Sequence, residues 1–140
     1  MKMLSVFTDG GSRGNPGQAA IGVYITDESE KNIYSFGERL GVATNNVAEY
    51  KAVIAALSWL VNNKELVSKY KKINFYLDSL LLVSQLNGIY KIKNPQLKEL
   101  YFTVREKETL LLKGIQYFHV PREKNKNADR LVNMALDNKL

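Results

Sequence analysis

The stretch Met3-Leu4-Ser5-Val6-Phe7-Thr8-Asp9-Gly10-Gly11-Ser12-Arg13-Gly14-Asn15-Pro16-Gly17 decides how this chain is read. Its apolar half, Met3 to Thr8, predicts a β-strand that delivers one carboxylate, Asp9, into a segment of glycine, asparagine and proline that reads as a turn. Glycine leaves the backbone bare there, so its N–H groups are open to close approach by a ligand. An acid at the carboxyl end of a strand, beside such a loop, is an arrangement that α/β proteins use to build sites.

Working outward, alternating apolar patterns predict two more strands, Ala19 to Thr26 and Asn32 to Leu40, with turn chemistry at Asp27-Glu28-Ser29 between them. The period then becomes helical from Asn46 to about Val61, where Glu49, Val53, Ala56 and Leu60 share one stripe. A strand at Ile73 to Leu77 follows, then a helix from Ser79 to about Leu86 closed by Gly88. Pro95 opens a helix running to about Leu112, Ile115 to Val120 forms a fifth strand, and a last helix carries Ala128, Leu131, Val132, Ala135 and Leu136. The order βββαβα(α)βα predicts an α/β fold: a mixed five-stranded sheet, three antiparallel strands then two parallel, with helices on both faces. Residues 1–140 read as one domain, without repeats or linkers.

Composition narrows the chemistry. The chain has no cysteine and a single histidine, so thiolate and His-rich metal sites are excluded, and any ion must be held mainly by oxygen, which points to Mg²⁺ or Mn²⁺. No apolar run approaches the ~20 residues of a membrane span, and the N-terminus lacks a signal-peptide core; with the absence of cysteine this fits the cytoplasm. A net charge of +6 favours a polyanionic partner, with lysines grouped at Lys69-Lys71-Lys72, at Lys91-Lys93 and around Arg122-Lys124-Lys126.

Four acids recur at element boundaries: Asp9, Glu49, Asp78 and Asp129. Each has an ordinary reading. Asn46 and Glu49 fit a capping box, Asp78 fits a cap of the helix after it, Asp129 complements a helix dipole, and Asp9 shapes a turn. Together, carboxylates that converge without a cation repel one another, and a pair of divalent ions about 4 Å apart removes that cost while assisting phosphodiester hydrolysis.

At this point the chain resembles the type 1 ribonuclease H family. The resemblance spans essentially the whole chain and rests on Thr8 to Gly17, Thr44-Asn45-Asn46-Val47-Ala48-Glu49, Leu77-Asp78-Ser79, and Val120-Pro121-Arg122-Glu123-Lys124-Asn125 through Ala128-Asp129. It implies that Asp9, Glu49, Asp78 and Asp129 are catalytic and hold two Mg²⁺ ions, with Mn²⁺ as a substitute: Asp9 bridging both, Glu49 and Asp78 on one, Asp129 on the other. It further implies cleavage of the RNA strand of RNA/DNA hybrids to 5′-phosphate and 3′-hydroxyl ends. Gly10, Gly11, Asn15 and Asn45 resemble the family's readers of RNA 2′-hydroxyls, and Thr44 and Asn46 its pocket for a DNA-strand phosphate.

Two departures accompany the resemblance. Many relatives carry a basic helix and loop that hold substrate; here only Tyr90-Lys91-Ile92-Lys93-Asn94-Pro95 fills that interval, so modest, salt-sensitive binding is expected. Many also have a mobile catalytic histidine, whereas His119 lies inside the predicted strand Gln116-Tyr117-Phe118-His119-Val120 and reads as structural, with Arg122, Glu123 or Lys124 left to assist product release. The aromatics Tyr50, Trp59, Phe75 and Tyr76 fall at core-like spacings. The simplest assembly is a monomer. The competing readings are a nuclease with broader substrates, such as double-stranded RNA, and a catalytically silent nucleic-acid-binding module on the same fold.

Overall fold

A computed structural model describes residues 2–140. Five strands form one sheet: β1 (Met3–Gly14), β2 (Gly17–Thr26), β3 (Asn32–Ala43), β4 (Lys72–Leu77) and β5 (Gly114–His119), in the order β3-β2-β1-β4-β5. The β1–β2 and β2–β3 pairs are antiparallel, and β1–β4 and β4–β5 are parallel, as the sequence pattern predicts. The helices are α1 (Asn45–Asn62), a short α2 (Lys64–Val67) that the pattern did not reveal, α3 (Leu80–Leu86), α4 (Pro95–Thr109) and α5 (Lys126–Leu136), the last preceded by a 3₁₀ turn at Arg122–Lys124.

The glycine-rich segment after Asp9 is not a turn. Strand β1 continues through it to Gly14, pairing Gly10 with Ile21, Gly11 with Ala20 and Ser12 with Ala19, and the reversal is confined to Asn15-Pro16, whose peptide bond is cis. Turn propensity is overridden by the ladder with β2, which pairs one edge of β1, while the edge beyond Phe7 is left unpaired by β4. Asp9 therefore sits inside β1. It still marks the end of the parallel pairing, because the β1–β4 register stops at Phe7 opposite Tyr76.

The glycines serve close approach. A β-carbon on Gly10 would stand 2.3 Å from the backbone carbon and oxygen of Ala48 and 2.5 Å from the nitrogen of Glu49, so α1 rests directly on β1 one residue from Asp9. Gly22, the register partner of Asp9, is covered by the Ala128 carbonyl of α5, 2.2 Å from where its β-carbon would be. Gly11 faces Val132 of α5, so successive residues of β1 meet α1 and α5 on opposite faces of the sheet. Helices cover both faces, and each glycine contact seats a helix bearing one of the four acids.

The main core lies on the α1 side. Leu4, Val6, Val23, Ile25, Ile73 and Phe75 project from the sheet against Tyr50, Val53, Leu57 and Leu60 of α1 and Val104 of α4. Each such side chain, fully buried, contributes about 1.5–3 kcal/mol. The Tyr50 hydroxyl donates to Gln85 Oε1 at 2.7 Å in the buried interior, tying the turn of α1 beside Glu49 to α3. Phe75 is core as expected, whereas Trp59 stacks on Tyr34, and Tyr76 stacks between Phe7 and Phe118 on the opposite face. No helix among the described residues is long and apolar enough to cross a membrane.

Candidate active site

Two of the capping roles open to the acids are filled by neighbouring residues. Thr44 caps α1, its hydroxyl accepting from the Val47 N–H at 3.2 Å; Asn46 is thus inside the helix and Glu49 lies beyond the first turn, so the capping box centred on Asn46 does not form. Thr44 was an equally good cap by composition, and the packing of Asn45 against β1 decides between them. Ser79 caps α3 by accepting from the Leu82 N–H at 3.2 Å, which leaves the Asp78 carboxylate out of the cap. Asp129 does occupy the opening turn of α5.

Free of capping, the carboxylates converge. Asp9, Glu49 and Asp78 each place one oxygen within 4.8 Å of the others'. Asp129 stands outside that cluster but lines the same cleft, close enough for its charge to raise the Asp9 pKa. All four line one open cleft of about 330 Å³, together with Gly10, Gly11, Asn45 and Arg122.

The electrostatics are those of a site built around positive charge. Burial, followed by the neighbouring Asp78, Asp129 and Glu49, pushes the Asp9 carboxyl from its ordinary 3.8 up to about 8. Burial, opposed by a hydrogen bond from Ser79 and the charge of Arg122, pushes Glu49 from 4.5 up to about 7. Glu49 Oε2 is buried without any hydrogen-bond partner. An unsatisfied buried carboxylate oxygen facing two other acids matches the oxygen-only ligand set of Mg²⁺ or Mn²⁺, and the residues present therefore fit such an ion.

A pH dependence follows, and its sign is fixed by the raised values. The folded, metal-free protein keeps the Asp9 proton to about pH 8, while the unfolded chain releases it near 3.8; this contribution is full below about pH 4 and is lost as pH rises toward 8. Glu49 acts in the same direction between 4.5 and about 7. In EDTA, the melting temperature of the protein relative to its Asp9→Asn variant is expected to fall between pH 5 and pH 8, and Mg²⁺ is expected to restore it at the upper end. A difference that stays constant or rises over that range would contradict this electrostatic picture.

The other sequence-predicted residues fall into two groups. Asn45 joins the β1–β2 hairpin to α1: its Oδ1 accepts from the Ser12 N–H at 2.9 Å, and its own N–H donates to Asn15 Oδ1 at 3.0 Å. Thr44, Asn46 and Asn15 line a separate polar pocket of about 210 Å³, which Asn94 and Gln96 complete. Sequence reasoning missed Asn94 and Gln96; the signal was an Asn-Pro helix start, and Asn94 does cap α4. Arg122 lines the cleft, whereas Lys124 lines a groove with Phe7, Tyr24 and Tyr76. His119 ends β5 opposite Leu77, exposed and away from the cleft lining.

Comparison with known proteins agrees with this geometry. The profile of the reverse transcriptase-like family matches residues 7–135. Ribonuclease HI of Halobacterium salinarum is 38% identical over 137 residues, covering 96% of this chain and 64% of that protein. LC11-RNase H1, isolated from compost, superposes with a TM-score of 0.92 at 41% identity, over 99% of this chain and 98% of its own. The chain belongs to the type 1 ribonuclease H family. Within the family, LC11-RNase H1 has also been solved in complex with an RNA/DNA hybrid, with a TM-score of 0.90 to this chain over 96% of it and 97% of the other. The bifunctional protein Rv2228c of Mycobacterium tuberculosis is 38% identical over 98% of this chain. The chain spans only 36% of that protein's length and under two thirds of the halobacterial one.

Proposed function

We propose that this protein is a metal-dependent endoribonuclease that hydrolyses the RNA strand of RNA/DNA hybrids, leaving 5′-phosphate and 3′-hydroxyl ends. The observation that carries the reading is the convergence of Asp9, Glu49 and Asp78 within 4.8 Å, with Asp129 lining the same open cleft. The family resemblance and the hybrid complex of LC11-RNase H1 support the choice of substrate.

In this reading Asp9, Glu49, Asp78 and Asp129 would hold the divalent ions, with Asp9 at the centre of the set. Such ions, when bound, supply the Lewis acidity that activates water and stabilises the leaving 3′-oxygen of a phosphodiester. The chain's own groups do the rest. Gly10 and Gly11 bring bare backbone to the cleft floor, and Asn45 brings an amide; both suit a 2′-hydroxyl, which donates as well as accepts. Thr44, Asn46, Asn15, Asn94 and Gln96 form a neutral pocket at the starts of α1 and α4, where helix ends favour a phosphate of the DNA strand. Arg122, beside Glu49, adds a fixed positive charge to the cleft wall.

The link from α3 to α4, residues 87–94, holds no helix and offers two lysines, Lys91 and Lys93, for phosphate contact. The KM for hybrid is therefore expected to rise about tenfold or more between 50 and 200 mM salt, while kcat changes little. A salt-independent KM would contradict that.

The test of the function itself is incubation with labelled RNA/DNA, RNA/RNA and DNA/DNA duplexes in Mg²⁺. Cleavage confined to the RNA of the hybrid supports the proposal. Equal cleavage of double-stranded RNA would indicate the broader nuclease, and binding without cleavage would indicate the silent module.

A further inference from the structure

We propose that Asn125 is a positioning residue that fixes Asp9 and Asp129 relative to each other, at the expense of the helix cap it occupies. The proposal rests on the nuclease reading of the same carboxylates.

Asn125 stands at the N-cap position of α5, where an asparagine side chain ordinarily accepts from the first free N–H groups of the helix, a device contributing about 1 kcal/mol. Here the side chain makes no capping bond. It is 1% exposed, and its Nδ2 donates to the Thr8 carbonyl at 2.9 Å. Thr8 immediately precedes Asp9, and the parallel ladder with β4 has ended one residue earlier, at Phe7. Asn125 takes over where the sheet stops holding β1.

The backbone of the same residue holds the other acid. The Asn125 carbonyl accepts from the Asp129 N–H at 3.1 Å, and its N–H donates to the Arg122 carbonyl at 2.9 Å, closing the 3₁₀ turn that brings Arg122 to the cleft wall. One buried residue thus joins the strand carrying Asp9, the helix turn carrying Asp129 and the turn carrying Arg122. The arrangement has a visible cost, since Asn125 Oδ1 is buried with no partner, and an unsatisfied buried acceptor costs about 1–3 kcal/mol. A residue serving stability alone would turn that oxygen to the free N–H groups of α5. Keeping it unsatisfied retains the amide donor on the backbone beside Asp9.

The test compares the protein with Asn125→Ala and with Asn125→Ser. Serine is a good residue at a helix start but is too short to reach the Thr8 carbonyl, so it separates the clamp from folding. Mn²⁺ affinity is measured by calorimetry, Tm by thermal melting, and kcat and KM on an RNA/DNA hybrid. The expected result for both variants is Mn²⁺ binding weakened about tenfold and kcat lowered about 10–100-fold, with KM within about twofold of the parent. Mn²⁺ affinity and kcat equal to the parent's in the folded Asn125→Ser variant, whatever its Tm, would overturn the proposal. A parent protein that binds no Mn²⁺ and cuts no hybrid would instead overturn the nuclease reading on which it rests.

Discussion

Replacing Asp9 with asparagine is expected to reduce hybrid cleavage by at least about 10³-fold, some 4 kcal/mol of transition-state stabilisation, while making the metal-free protein more stable. The two effects have one cause. Asp9 feels all three of the other acids: burial raises its pKa most, and Asp78, Asp129 and Glu49 each raise it further. Asparagine keeps the size and removes the charge, so the folded state is relieved of repulsion that only a cation otherwise offsets. The same change removes the ligand proposed at the centre of the set. Melting and activity should therefore move in opposite directions, with the stabilisation largest near pH 8 and absent near pH 4, and with Mg²⁺ raising the Tm of the variant far less than that of the parent. A variant that loses both stability and activity would show that Asp9 is a structural residue of β1.

The second large effect is expected at a residue with no side chain. Gly10→Ala places a methyl group 2.3 Å from the Ala48 carbonyl carbon and oxygen, which are backbone and cannot swing aside. Helix α1 must retreat by about 1 Å, and it carries Glu49 with it. Displacement on that scale costs roughly 10²-fold in rate, and overpacking costs about 1–3 kcal/mol of stability. Gly114→Ala is the control, because a β-carbon there meets nothing within 4 Å. The expected pattern is a hundredfold loss of activity and a Tm lower by roughly 5 °C for Gly10→Ala, against a near-parental Gly114→Ala. Equal behaviour of the two variants would refute the view that glycine seats α1.

Much of this site was legible in the chain. Asp9 and Asp78 were legible as acids that close apolar runs, although β1 runs on past Asp9 to Gly14, and the strand–helix–strand passage predicted a parallel part of the sheet, which the β1–β4 and β4–β5 pairs supply. What was not legible lies in competition between equally plausible local partners. Thr44 and Asn46 are both good caps, and only the bonds from Ser12 and to Asn15 that anchor Asn45 settle which is used. The glycines after Asp9 read as a turn because propensity cannot register the long-range ladder with β2 or the two helices that need their bare α-carbons. Asn94 and Gln96 gave no periodic signal, since a helix start places them, whereas Arg122 stood out in its basic stretch and only the 3₁₀ turn shows that it reaches the cleft. The ordinary readings of Glu49 and Asp78 as capping residues were separable from the functional one only by geometry: Thr44 and Ser79 hold the caps, and the acids are left facing one another.

The most direct test of the account is cleavage of an RNA/DNA hybrid labelled on both strands, followed with Mg²⁺, after EDTA, and after Mg²⁺ is restored in excess. The account requires cuts in the RNA strand alone, arrest by EDTA and full recovery on adding the metal back. Cleavage that persists in EDTA, or that falls on the DNA strand, would contradict it.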